Sequence, residues 1–181
     1  MHILITGAPG SGTSTLARDL SKVLSARHLD GDDYQWLPTH PPYQQMVAKD
    51  QRAVALLADM RPSADTVVSG SVVGWGSILE DAFDLVVFLY VPSDIRLARI
   101  QLREEQRFGN ARPEFLAWAA QYDSGIEPGR SLQQHRAWLE QRKCEVLRLE
   151  GDLSEEGRLS EVLAVVERLS RNVYLRPVRT Q

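Results

Sequence analysis

The 181-residue chain has a single cysteine, Cys144, so it can form no internal disulfide. The thiol is expected to pack, not to react. Long apolar runs are also missing. The longest, residues 85–91, is far too short to cross a bilayer. Neither sign of charge is in large excess: 21 Lys and Arg stand against 24 Asp and Glu, a net charge of −3. That balance argues against a nucleic-acid-binding surface. No internal repeat, linker or low-complexity tract interrupts the chain, and a single domain is expected at this length. The first residues show no basic segment and no small-residue cleavage site, so no signal peptide is expected. Together with the lone cysteine, this points to the cytoplasm.

What is present is an alternation of strand and helix patterns, the signature of an α/β fold with a parallel sheet. Strands are expected at residues 2–6, 27–30, 66–70, 85–91 and 145–149. Helices are expected at residues 14–26, 43–60, 93–108, 113–122, 131–142 and 154–171. In the first of these, Leu16, Leu20, Val23 and Leu24 should share a buried face. The fourth strand is apolar throughout, as suits a strand covered on both faces. Pro38, Pro41 and Pro42 keep the stretch after the second strand irregular, and residues 172–181 show no clear pattern.

The most informative segment is HILITGAPGSGTST, residues 2–15. An apolar strand runs into Gly7-Ala8-Pro9-Gly10-Ser11-Gly12-Thr13-Ser14-Thr15, and a helix follows. This is the spacing and context of a phosphate-binding loop, G-x-x-x-x-G-[K]-[ST]. The glycines let successive N–H groups turn inward on phosphate oxygens, and the helix adds its positive end. Ser14 occupies the Mg²⁺ position. Thr13 stands where lysine is usual, so the charge that neutralises the transferred phosphate must come from elsewhere.

Three further groups could carry chemistry. Asp30, Asp32 and Asp33 crowd the end of the second strand, where ligands of open α/β sheets sit. A carboxylate there could take a proton from a hydroxyl or orient Mg²⁺, or the acids could merely cap the next segment. The third and fourth strands end without an acid; Asp65 and Asp84 fall at their starts. This leaves Ser14 and Asp30 as the metal environment. Trp75, between Gly74 and Gly76, could stack on a flat ring or simply anchor its loop. Finally, Arg96, Arg99, Arg103 and Arg107 line the helix after the fourth strand, the last three on one face. They could bind phosphate or a base, or form a solvated face with Glu104 and Glu105.

The loop, the acids, Val91-Pro92-Ser93-Asp94…Arg99…Arg103 and Leu149-Glu150-Gly151-Asp152 together resemble the adenylate-kinase-like group of small-molecule kinases among the P-loop NTPases. That resemblance implies a three-layer fold: a five-stranded parallel sheet in order 2-3-1-4-5, helices on both faces, and a lid near residues 109–130. It implies that Arg99 stacks on adenine, Arg103 reaches the phosphates, and Gly151 and Asp152 border the base. Asp32-Asp33-Tyr34 is similar to the Asp-Asp-aromatic motif of uridine and nicotinamide-riboside kinases, which implies that Asp32 is the base. The runs LDGDDYQWLP, SGSVVGWG and FLYVPSDIRLARI resemble bacterial adenylate-kinase-like proteins that carry threonine in the lysine position. The first turns of the acceptor helix lack the arginine typical of adenylate kinases, with only Lys49 and Arg52 near. That weighs against AMP as the acceptor.

The expected function is an ATP-dependent phosphotransferase with Mg²⁺, moving the γ-phosphate to a small acceptor. Asp32 or Asp33 would activate the hydroxyl, and Arg103 with Arg107 or Arg130 would stabilise the transferred charge. Thr13 keeps open the alternative of a nucleotide-binding protein or slow ATPase. A GTP-dependent switch is disfavoured by the lack of an N-K-x-D motif.

Overall fold

A computed structural model describes residues 1–40, 43–63, 65–125 and 130–174. Pro41 and Pro42, residues 126–129 of the expected lid, and the last seven residues of the expected unpatterned tail lie outside them. The strands are β1 (His2–Gly7), β2 (Arg27–Asp30), β3 (Thr66–Ser69), β4 (Leu85–Tyr90) and β5 (Glu145–Glu150). The helices are α1 (Thr13–Leu24), α2 (Gly31–Gln35), α3 (Lys49–Met60), α4 (Ser77–Glu80), α5 (Ser93–Phe108), α6 (Pro113–Ala120), α7 (Leu132–Glu140) and α8 (Glu155–Tyr174). All strand pairs are parallel, in the order β2-β3-β1-β4-β5.

Side chains alternate across the pleat, so β1, β3, β4 and β5 each feed two cores. Ile3, Ile5, Val67, Leu85, Val87 and Leu89 pack against Leu16, Ala17 and Leu20 of α1 and Val162 and Val166 of α8. Leu4, Val68, Val86 and Phe88 point the other way, toward Leu56 and Met60 of α3, Leu79 of α4 and Trp138 of α7. Full burial of each such side chain contributes roughly 1.5–3 kcal/mol. The central strand therefore cannot shift register without exposing one core.

Three expectations change. Val23 is exposed, because the buried stripe of α1 runs through Leu16, Ala17, Leu20 and Ser21 and leaves Val23 roughly a quarter turn from its centre. The helix expected from residue 43 begins at Lys49. The residues before it pair across the chain instead: Leu37 N–H donates to Gln45 O, Val47 N–H to Gln35 O, and Tyr43 takes a left-handed φ of 67°. The acidic stretch expected as a loop is the short helix α2. Asp30 is its N-cap, accepting from Asp32 N–H at 3.1 Å, and Asp32 and Asp33 face the positive end of the helix dipole.

Candidate active site

β1 delivers the chain into the loop, and the loop delivers it into α1. Gly10 (φ 80°) and Gly12 (φ 92°) both need left-handed backbone. A Cβ on Gly10 would stand 2.6 Å from the Arg96 carbonyl. Ser11 Oγ donates to Ala8 O at 2.8 Å and Ser11 N–H to the same oxygen at 3.1 Å, closing the turn. Thr13 and Ser14 are the first residues of α1, with their N–H groups at its open end.

Two arginines hold the outward-facing carbonyls of this loop. Arg96, fully buried on α5, donates from Nε to Val91 O, from Nη1 to Pro9 O, and from Nη2 to Asp123 Oδ2 at 2.9 Å. Arg158, on the first turn of α8 and 5% exposed, donates from Nη1 to Ser11 O at 2.9 Å. Neither stands out in the sequence: Arg96 is one of four arginines on its helix, and Arg158 lies far from the loop along the chain. A lone basic residue inside an amphipathic helix, far along the chain from the loop, carries no local signal.

The acids reach the loop through Ser14, whose Oγ donates to Asp30 Oδ2 at 3.3 Å. The other Asp30 oxygen caps α2, so capping accounts for one of the three aspartates. Asp32 is held above the usual carboxylate range, first by desolvation, then by Asp30 and Asp33, with Arg130 and Arg103 pulling the other way. Desolvation lowers the Arg130 guanidinium, and the Asp32 charge opposes that. Arg103 and Arg130 thus both lie within electrostatic reach of Asp32. Arg107 is not among the charges acting on Asp32; its guanidinium lies 5.2 Å from the centre of the Phe108 ring.

At the far end of the loop, Arg99 pairs with Asp152 at 2.5 Å. Gly12, Thr15, Arg99, Asp152, Leu153 and Arg158 line a cavity of about 400 Å³ there. On the opposite side Trp75 is buried in the core, which makes it a loop anchor, and the Arg52 guanidinium lies 5.8 Å from its ring centre. Because α3 starts at Lys49, Arg52 falls on its first turn. The expected lack of an arginine there followed from the misplaced helix start.

Beneath the site, buried His135 joins three elements. Its Nε2 meets Thr6 Oγ1 and Ser71 Oγ, and its Nδ1 meets the Tyr122 hydroxyl at 2.6 Å. Burial, with help from Arg130, pushes its pKa down to about 3.

The backbone cradle and the Ser14 hydroxyl fit a nucleotide's phosphates and a hard cation. Among the described residues no group of three or more His, Cys, Asp or Glu is placed to hold a metal by itself. No helix among them is long and apolar enough to cross a membrane.

Residues 3–116 match the AAA domain family. YqaC of Bacillus subtilis (strain 168) is 40% identical over 172 residues, covering 90% of this chain and 95% of its own. A cytidylate kinase of Methanothrix thermoacetophila is 32% identical over 132 residues, covering 65% of this chain and 72% of its own. Among solved structures, a gluconokinase from Sinorhizobium meliloti 1021 superposes with a TM-score of 0.59 at 18% identity, covering 97% of each chain. That last likeness concerns the fold.

Proposed function

The chain belongs to the AAA domain family and is kin to the small-molecule kinases among the P-loop NTPases, and on that premise we propose that it is an ATP-dependent phosphotransferase acting on a small hydroxyl compound. The observation that carries this reading is the position of Asp32. It is linked to the phosphate loop through Ser14 and Asp30, and flanked by the charges of Arg103 and Arg130.

In this reading the N–H groups of Ala8–Ser14 bind the phosphates. Ser14 would hold Mg²⁺ through its hydroxyl, with Asp30 bonded to that hydroxyl in the structure. Magnesium-bound ATP supplies the transferable phosphoryl group and part of the neutralising charge. Asp32 accepts the proton of the acceptor hydroxyl; Asp33, next to it on the first turn of α2, is the other candidate. Arg103 and Arg130 stabilise charge on the group in transfer. Arg107 would join them only by leaving Phe108. Arg99, Gly151 and Asp152 border the base, and residues 109–130 form the lid. Arg52, at the start of α3, offers a cation to the acceptor. An anionic acceptor therefore returns to consideration; cytidylate, which the relative's name keeps among those to be tried, would accept on a phosphate oxygen and make no use of Asp32 as base.

Asp32→Asn should lower phosphoryl transfer about 10²–10⁴-fold, the usual contribution of a positioned base. Mg·ATP affinity should stay within a few-fold of wild type. Unchanged turnover in that variant removes Asp32 as the base. The alternative, a nucleotide-binding protein or slow ATPase, is favoured by Thr13 in the lysine position. ADP release that rises with an added hydroxyl compound supports the kinase; release indifferent to every such compound supports the alternative.

A further inference from the structure

The two arginines on the phosphate loop differ in one respect. Arg96 has a carboxylate partner, Asp123. Arg158 has none within ion-pair distance among the described residues, and its Nε is buried without a hydrogen-bond partner. Asp152, which could approach it, is taken by Arg99. A buried guanidinium with no ion-pair partner is costly; Glu155 and Asp152 act on it only from longer range, and further negative charge nearby would offset that cost.

Its position says which charge. The guanidinium donates to the Ser11 carbonyl and fills the space under Gly12: a Cβ on Gly12 would stand 2.6 Å from Nη1. Gly12 directly precedes Thr13, where the loop's usual cation is missing. Within a residue of that gap the protein has therefore placed a permanent positive charge, behind the loop.

We propose that Arg158 replaces the missing lysine of the phosphate loop, holding the loop from behind through the Ser11 carbonyl and lending its charge to the nucleotide's phosphates. It is a positioning residue, acting through the loop backbone without touching phosphate. In a partly desolvated site a charge at that range is worth an order of magnitude or more in affinity. The inference rests on the nucleotide reading above.

The test is a cycle of Arg158→Met and Thr13→Lys, with Mg·ATP affinity measured by titration calorimetry and folding checked by thermal denaturation. Arg158→Met should weaken binding about ten- to a hundredfold. Adding Thr13→Lys to it should restore affinity to within about threefold of wild type, because lysine would supply the same charge directly. That rescue separates charge from packing: a lysine at residue 13 cannot refill the space under Gly12. If Arg158→Met does not fold, Arg158→Gln takes its place, keeping a donor for Ser11 O without the charge. Binding within twofold of wild type in the single variant overturns the proposal. So does a loss that Thr13→Lys fails to repair, which would make Arg158 a brace and not a charge. Wild-type protein that binds no Mg·ATP instead overturns the nucleotide reading itself.

Discussion

The phosphate loop and the stretch formed by residues 36–40 and 43–48 are built on different principles. The loop is gripped by buried arginines on either side, with its glycines pressed against backbone and guanidinium groups. The second stretch is held by an isolated bridge between Trp36 and Met46 and by hydrogen bonds of Leu37 and Val47, while Leu37, Tyr43 and Met46 stay exposed. The loop is fixed from several directions; the exposed stretch can change its contacts without disturbing the sheet. If this contrast is right, substitutions should separate by region: large effects at the loop, small ones in the exposed stretch.

The largest effect is expected at Arg96. Arg96→Met removes the donor to Pro9 O and Val91 O and leaves Asp123 without its charge partner, one of whose oxygens is already buried and unpaired. Breaking a buried ion pair from one side costs roughly 3–5 kcal/mol. Denaturant unfolding should show a loss in that range. A loss under about 1 kcal/mol would mean that the loop is not braced from this side. Gly10→Ala comes next. Its φ of 80° and the 2.6 Å approach of its Cβ to the Arg96 carbonyl should cost about 2–3 kcal/mol and weaken Mg·ATP binding.

The same contrast governed what could be read from the sequence. The strands and the loop were legible, because apolar runs, glycine spacing and a helix start are local patterns; the order of the strands came with the family resemblance. The two buried arginines were not, because a guanidinium that binds a carbonyl across 87 or 147 residues leaves no trace in its own neighbourhood. Arg96 looked like one more member of a basic stripe. Helix α3 was misjudged because Tyr43–Val47 has helix-compatible residues whose backbone is claimed by Gln35 and Leu37. That single displacement hid Arg52 from the first turn of the acceptor helix. The acidic run reads as reactive or capping; Asp30 caps α2, and Asp32 lies within electrostatic reach of Arg103 and Arg130.

His135 tests whether the base of the site is as firmly set as the loop. It ties β1 to the segment after β3 and to Tyr122, and it is kept neutral, with a pKa near 3. The unfolded histidine takes up a proton near pH 6.5 and the folded one resists until about pH 3. Between those values the unfolded state binds more protons, so stability falls as pH falls. From pH 7 to pH 5 this one group should remove about 2 kcal/mol. His135→Gln should flatten that part of the profile in denaturant titrations at the two pH values. An unchanged slope would show that other groups dominate acid sensitivity.

The smallest effect is expected at Met46. Its side chain is 57% exposed, and its part in the bridge to Trp36 is made by backbone alone. Met46→Ala should therefore shift stability by less than about 0.5 kcal/mol, as surface substitutions do. Mg·ATP affinity should also be untouched, since no loop carbonyl or N–H depends on it. If residues 43–48 border the acceptor, as the proposed function implies, KM for an acceptor should change while kcat moves little. A matched fall in kcat and in ATP affinity would mean that residues 36–40 and 43–48 are coupled to the loop after all. The two regions would then be one cooperative unit, and the acceptor would be selected by closure of the whole site and not by a pliable rim.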